Sequence, residues 1–147
     1  MSNRKRFWWV LVILWCGMIF LATASPAFTG ANTEKLIEQT LPKEYTQILA
    51  SKTSRPMSLN LLIRKSAHFI IFGLLAVVVW KALGSLKLSF VIAWGFATLY
   101  GATDEIHQSF VPDRSAKGMD VVIDSLGAFT ALMFVYTFIK FREKRTQ

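Results

Sequence analysis

Apolar residues gather in four runs that carry no charge, at positions 7–24, 66–80, 88–103 and 125–139. None has a polar stripe at helical spacing, so a water-soluble amphipathic bundle is not expected. Runs of this kind predict helices that cross a bilayer, which takes about 20 residues each. The first run, with 18 residues, comes close, whereas the others, with 15, 16 and 15, fall short by about four or five.

Counting about 20 positions back from the lysine at one end of each short run supplies the missing residues. From Lys81 the second helix reaches Leu61 and takes in Arg64, Lys65 and His68. From Lys87 the third reaches His107 and takes in Asp104 and Glu105. From Lys140 the fourth reaches Asp120 and takes in Asp124. The expected fold is all-α, a four-transmembrane-helix bundle in one domain over residues 1–147, with spans at about 7–24, 61–81, 87–107 and 120–140. Three helices then carry ionisable groups at one depth and on one side.

Helical periodicity lets those groups avoid lipid. Asp104, His107 and Gln108 share a face, as do Asp120 and Asp124, whose stripe continues through Gly127, Ala128 and Ala131. Arg64, Lys65 and His68 lie one turn apart. Ala93, Ala97 and Gly101 line the third helix below Asp104, and small residues at that spacing let helices approach closely. The expected arrangement sets cations of the second helix against anions of the third and fourth, because an unpaired buried ion is expensive. Arg64 and Lys65 are also long enough to snorkel to water, which needs no functional role. Asp124 is too short for that, although a purely structural ion network would still account for it.

Composition agrees with a membrane protein. Of 147 residues, 53% are hydrophobic and the mean hydropathy is +0.40. The net charge of +8 does not point to nucleic acid, because the basic residues sit at the ends of apolar runs. Arg4, Lys5, Arg6, Lys81, Lys87, Lys140, Arg142, Lys144 and Arg145 fall on one side, with Glu143 the one acid there. The other side holds eight basic and eight acidic residues spread over longer loops. The excess of positive charge in short segments predicts a multi-pass chain with both termini in the cytoplasm. The start of the chain, RKR followed by an apolar stretch and ATA-S, also resembles a cleavable signal peptide; the length of the run and Pro26 favour a retained span. Cys16 is the single cysteine, which rules out an intrachain disulfide and a cysteine pair for metal.

The extracytoplasmic loop at 25–57 has its own pattern. Asn32 is placed to cap a short helix with Glu34 in its first turn. Leu36, Ile37, Leu41, Tyr45, Ile48 and Leu49 make a rough apolar face, broken at Pro42. A short interfacial helix on the outer leaflet is expected, with a lid over the site as the sharper alternative. Trp8 and Trp9 read as interface anchors.

Three blocks, RKSAHFIIFGLL at 64–75, TDEIHQSFVPDR at 103–114 and DVVIDSLGA at 120–128, resemble the VanZ-like family of bacterial membrane proteins in order and spacing. The resemblance covers roughly residues 60–140. Asp113 departs from the family, which often has Gly between Pro and Arg. The resemblance implies a small multi-pass membrane protein, and the family's namesake is associated with resistance to teicoplanin, a lipid-bearing glycopeptide. It implies no reaction.

Two functions fit these residues. In the first, the charged mouth binds an outer-leaflet lipid, a cell-wall precursor or a lipophilic glycopeptide and contributes to envelope biology or antibiotic tolerance. In the second, the same mouth is an enzyme acting on a phosphate-bearing lipid or precursor by acid/base chemistry. His68 and His107 are then candidate acids or bases, with Asp104, Glu105, Asp120 and Asp124 as carboxylate candidates. Arg64, Lys65, Gln108 and Arg114 are candidates for holding a ligand, the cations through a phosphate. Proton-coupled transport would need more than four spans, or an oligomer. The two histidines lie on different helices and no H-E-x-x-H occurs, so no metal site is expected, nor any cofactor. Membrane lipids are the expected partners, and no nucleic acid.

Overall fold

The computed structural model describes residues 3–25, 39, 59–84, 88–111 and 117–146. Four helices account for almost all of them: α1 (Asn3–Ala24), α2 (Leu59–Leu83), α3 (Ser89–Gln108) and α4 (Gly118–Arg145). The described residues contain no strand. The expected interfacial helix and Arg114 both lie outside them.

Three helices are long and apolar enough to cross a membrane, over Asn3–Ala24, Leu61–Leu83 and Gly118–Arg145. The 20 residues of α3 reach about 30 Å at 1.5 Å per residue. Its final turns hold Asp104, Glu105, His107 and Gln108, which lower its apolar character.

The helix ends have local causes. α2 stops at Gly84, whose φ is +68°. Its N–H donates to the Trp80 carbonyl at 3.2 Å, a left-handed cap that glycine adopts without strain. α3 tightens as it ends, with Phe110 N–H donating to His107 O at 3.1 Å and Val111 N–H to Gln108 O at 3.0 Å. Before α4, Lys117 is extended and has no capping side-chain bond. Instead its N–H donates to Glu105 Oε2 of α3 at 2.7 Å, which sets a carboxylate beside the positive end of the α4 dipole. Arg142, Lys144 and Arg145 occupy the last turn of α4, where cations suit the negative end.

Successive helices alternate in direction. A Cβ placed on Gly84 would lie 3.3 Å from Lys5 Cε, so the start of α1 meets the end of α2. At the other end, Thr23 of α1 bonds Asp104 of α3. α2 is central: its interface with α4 is the most extensive, and it also packs on α1 and α3. Phe72, Leu75, Ala76 and Val79 of α2 meet Ala93 and Ala97 of α3 and Ala128 and Leu132 of α4. Lipid is as apolar as leucine, so close van der Waals packing and interhelical hydrogen bonds carry association inside a membrane. Small residues permit that packing. A Cβ on Gly127 would come within 2.8 Å of the Phe69 carbonyl carbon, so α2 and α4 touch backbone to backbone. Trp15 Nε1 donates to the Ile71 carbonyl at 3.1 Å, and Tyr100 Oη to the Cys16 carbonyl at 2.7 Å. Trp8 and Trp9 pack against the core as well as lying near the chain end. Large apolar side chains cover the outside, among them Leu99 at 71% exposure and Leu21 at 69%. A water-soluble monomer rarely presents such a surface.

Candidate functional site

One end of the bundle collects the ionisable residues of α2, α3 and α4, together with Thr23 of α1. The outermost contact is between Lys65 Nζ of α2 and Asp120 Oδ1 of α4, 3.4 Å apart and partly open to solvent. One turn further in, His68 Nδ1 faces Asp124 Oδ1 at 3.3 Å. Asp124 is completely buried. Both contacts have ion-pair distances, yet neither has hydrogen-bond alignment. Among the described residues, both Asp124 oxygens, Asp120 Oδ1 and His68 Nδ1 have no hydrogen-bond partner. The imidazole of His68 is therefore the charged partner that the structure sets against Asp124.

Its enclosure comes from three helices. A Cβ on Gly101 of α3 would sit 3.0 Å from Asp124 Oδ2 and 3.4 Å from Phe72 Cε1 of α2. Glycine at this position thus makes room for the carboxylate between α3 and α4. The Phe72 ring lies nearly parallel to His68, with centroids 6.0 Å apart, and forms an apolar floor with Tyr100.

The acids of α3 are handled differently. Pairing with the cations of α2 was expected of Asp104 and Glu105; both are instead buried against neutral donors. Asp104 Oδ1 accepts from Thr23 Oγ1 and Oδ2 from Gln108 Nε2, each at 2.7 Å. Glu105 Oε2 accepts the Lys117 N–H. Hydrogen bonds to a charged group contribute about 1.5–3 kcal/mol each, so these donors go far toward offsetting burial.

The remaining candidates separate. Asp104 and Gln108 turn into the bundle, whereas His107 stacks on Phe20 of α1 with ring centroids 4.2 Å apart. Its Nδ1 is buried and has no hydrogen-bond partner among the described residues. Arg64 is half-buried and makes no ion pair with another described residue. Sequence reasoning missed Thr23, Lys117 and the part played by Gly101 beside Asp124. Thr23 had a legible signal, as a hydroxyl near the end of an otherwise apolar run. The Lys117 contact is made by backbone and leaves no trace in residue type.

Chemically, the arrangement pairs an imidazole with a buried carboxylate and places an ammonium at the rim. Because Nδ1 of His68 is turned to Asp124, Nε2 is the nitrogen left for a ligand. Lys65 suits an anionic group such as phosphate. Among the described residues, no three of the His, Cys, Asp and Glu side chains converge closely enough to hold a metal ion.

Apolar outer faces around a sheltered polar cluster define a helical membrane protein. The chain belongs to the VanZ/LLP1 family, which it matches over residues 8–140. That match contains every candidate residue at the mouth. No curated protein and no solved structure matches the chain.

Proposed function

We propose that the polar end of the bundle is an extracytoplasmic binding site for an amphipathic envelope ligand: an outer-leaflet lipid, a cell-wall precursor or a lipophilic glycopeptide. Its occupation contributes to envelope biology or antibiotic tolerance. One observation carries this reading. Asp124 is fully buried within the bundle, its carboxylate 3.3 Å from the His68 imidazole. An intramembrane ionisable residue kept at such expense marks a functional position by default. Lys65 and Asp120, still partly open, form the rim through which a headgroup would enter.

In this reading α3 also spans the membrane, bringing the spans to four, its acids sheltered by Thr23, Gln108 and Lys117. The basic segments at the far end, including Lys5, Lys81 and Arg142, lie in the cytoplasm with both termini. The mouth then opens on the outer face of a bacterial cytoplasmic membrane. The end of α1 and the start of α2 lie on the same face.

The His68–Asp124 contact favours a second reading, an enzyme acting on a phosphate-bearing lipid or precursor. His68 would take the proton of an attacking hydroxyl as its oxygen bonds to the substrate, and return it to the departing oxygen. Asp124 would balance the imidazolium formed between those steps.

Expression in a teicoplanin-susceptible host tests both, with Asp124→Asn, His68→Ala and Lys65→Ala compared for drug susceptibility and for extracted lipids and precursors by mass spectrometry. Protection lost in Asp124→Asn with unaltered lipid and precursor chemistry supports binding. A new covalent species made only by the unsubstituted chain supports the enzyme. No protection, no new species and no lipid, precursor or teicoplanin retained by the purified protein overturns both.

A further inference from the structure

The opposite end of the bundle carries a feature that the polar mouth does not explain. The Lys65–Asp120 and His68–Asp124 contacts set α2 and α4 side by side, running in the same direction. From that common register α2 stops at Leu83, while α4 continues to Arg145. The overhang is about 10 Å at 1.5 Å per residue. A groove of about 620 Å³ lies at this step, within the range of about 300–1,000 Å³ common for ligand clefts.

The groove has two chemistries. Trp80 of α2 and Phe134, Phe138 and Ile139 of α4 form apolar walls, with Phe134 74% and Phe138 56% exposed. Lys81 and Arg142 line it as well. Lys81 Nζ sits 4.7 Å from the centroid of the Trp80 ring, which keeps the ammonium above the apolar wall. Glu143 is the one acid in the lining, and Lys140 pairs with it at 3.3 Å. Neither Lys81 nor Arg142 has a carboxylate partner among the described residues. The result is a slot with apolar walls and two cations in its lining.

We propose that this groove binds an anionic phospholipid of the adjacent leaflet, its headgroup phosphate between Lys81 and Arg142 and an acyl chain along Trp80, Phe134 and Phe138. Charge complementarity selects this occupant. Basic pockets between transmembrane helices suit anionic headgroups. A zwitterionic lipid would bring its own cation into a region that also holds Lys144 and Arg145. The site is separate from the polar mouth and does not depend on the function assigned there.

Native mass spectrometry of the purified full chain tests the proposal, with equal phosphatidylglycerol and phosphatidylcholine supplied in mixed micelles. Phosphatidylglycerol is expected to be retained in preference. Lys81→Ala and Arg142→Ala should each weaken that retention about fivefold, since a basic residue near the surface contributes about 1 kcal/mol toward an anionic lipid. Lys144→Ala removes an exposed cation that does not line the groove and should leave retention within about twofold. Phe138→Ala should reduce retention of both lipids. Equal retention of the two lipids overturns the proposal, as does an equal loss in Lys144→Ala, which would mean diffuse attraction to a basic end. A dimer that buries the α4 groove and excludes lipid also overturns it. All four positions are exposed, so the variants should fold, and unchanged thermal unfolding confirms that.

Discussion

The contact between His68 and Asp124 gives the sharpest quantitative test of how the polar end holds together. At 3.3 Å, opposite unit charges attract by about 5 kcal/mol at an effective dielectric of ~20. Desolvating each ion takes back several kcal/mol, so the intact pair contributes little net stability. Losing one partner is different, because a buried charge is then left uncompensated. His68→Ala is expected to destabilise the fold by about 3–5 kcal/mol. Asp124→Asn keeps the shape and removes the charge, and should cost about 1–3 kcal/mol through its unsatisfied amide. With Asp124 already neutral, His68→Ala loses mainly packing. The double variant should therefore fall short of the sum of the single changes by at least about 1 kcal/mol. Reversible unfolding in mixed micelles containing SDS measures all four corners of the cycle, and the cavity term of His68→Ala cancels in the coupling energy. A coupling below about 0.5 kcal/mol is what independent sites show. That result would mean the two groups meet in space without sharing charge, and the electrostatic account of Asp124 would fail.

Three further outcomes can be read in the same unfolding assay. Gly127→Ala puts a methyl group 2.8 Å from the Phe69 carbonyl carbon and should destabilise by about 1–3 kcal/mol through overpacking; Gly95→Ala, with nothing within 4 Å of the new methyl, should be neutral or slightly stabilising through helix propensity, so equal effects would refute the backbone contact. Thr23→Val removes the donor to Asp104 and should cost about 1.5–3 kcal/mol, and Thr23→Ser should recover most of it; if valine is tolerated as well as serine, the hydroxyl does not support that carboxylate. Lys65→Ala should change stability by no more than about 1 kcal/mol, because its pair with Asp120 is partly open to solvent; a loss comparable to His68→Ala would contradict the graded burial of the two contacts.

The two carboxylates of α3 and the pair on α4 follow different physical rules. Asp104 and Glu105 are fixed by neutral donors, one of them a backbone N–H, and their charge is dispersed over directed bonds. Asp124 has no such support among the described residues. Hydrogen-bonded acids can serve as rigid framework, whereas a carboxylate held mainly by one imidazole stays sensitive to that ring's protonation and to any group that approaches it.

Much of the architecture was legible from residue order alone. Uncharged apolar runs, three of them bounded by lysines, predicted the four long helices of the described residues. The constant rise of a helix then placed Arg64, Lys65, His68, Asp104, Glu105, Asp120 and Asp124 toward one end. Helical spacing also grouped Asp104 with His107 and Gln108, and there it ran out. Spacing orders side chains around their own axis and says nothing about how one helix is rotated against the next. That rotation came from packing: Gly127 lets α4 close on the backbone at Phe69, and Gly101 opens a place for the Asp124 carboxylate. Only those contacts decided that Asp124 meets His68, that Asp104 takes the hydroxyl of Thr23, and that His107 turns toward Phe20. Partner choice between helices depends on atoms brought together from distant parts of the chain, so it is a property of the assembled bundle.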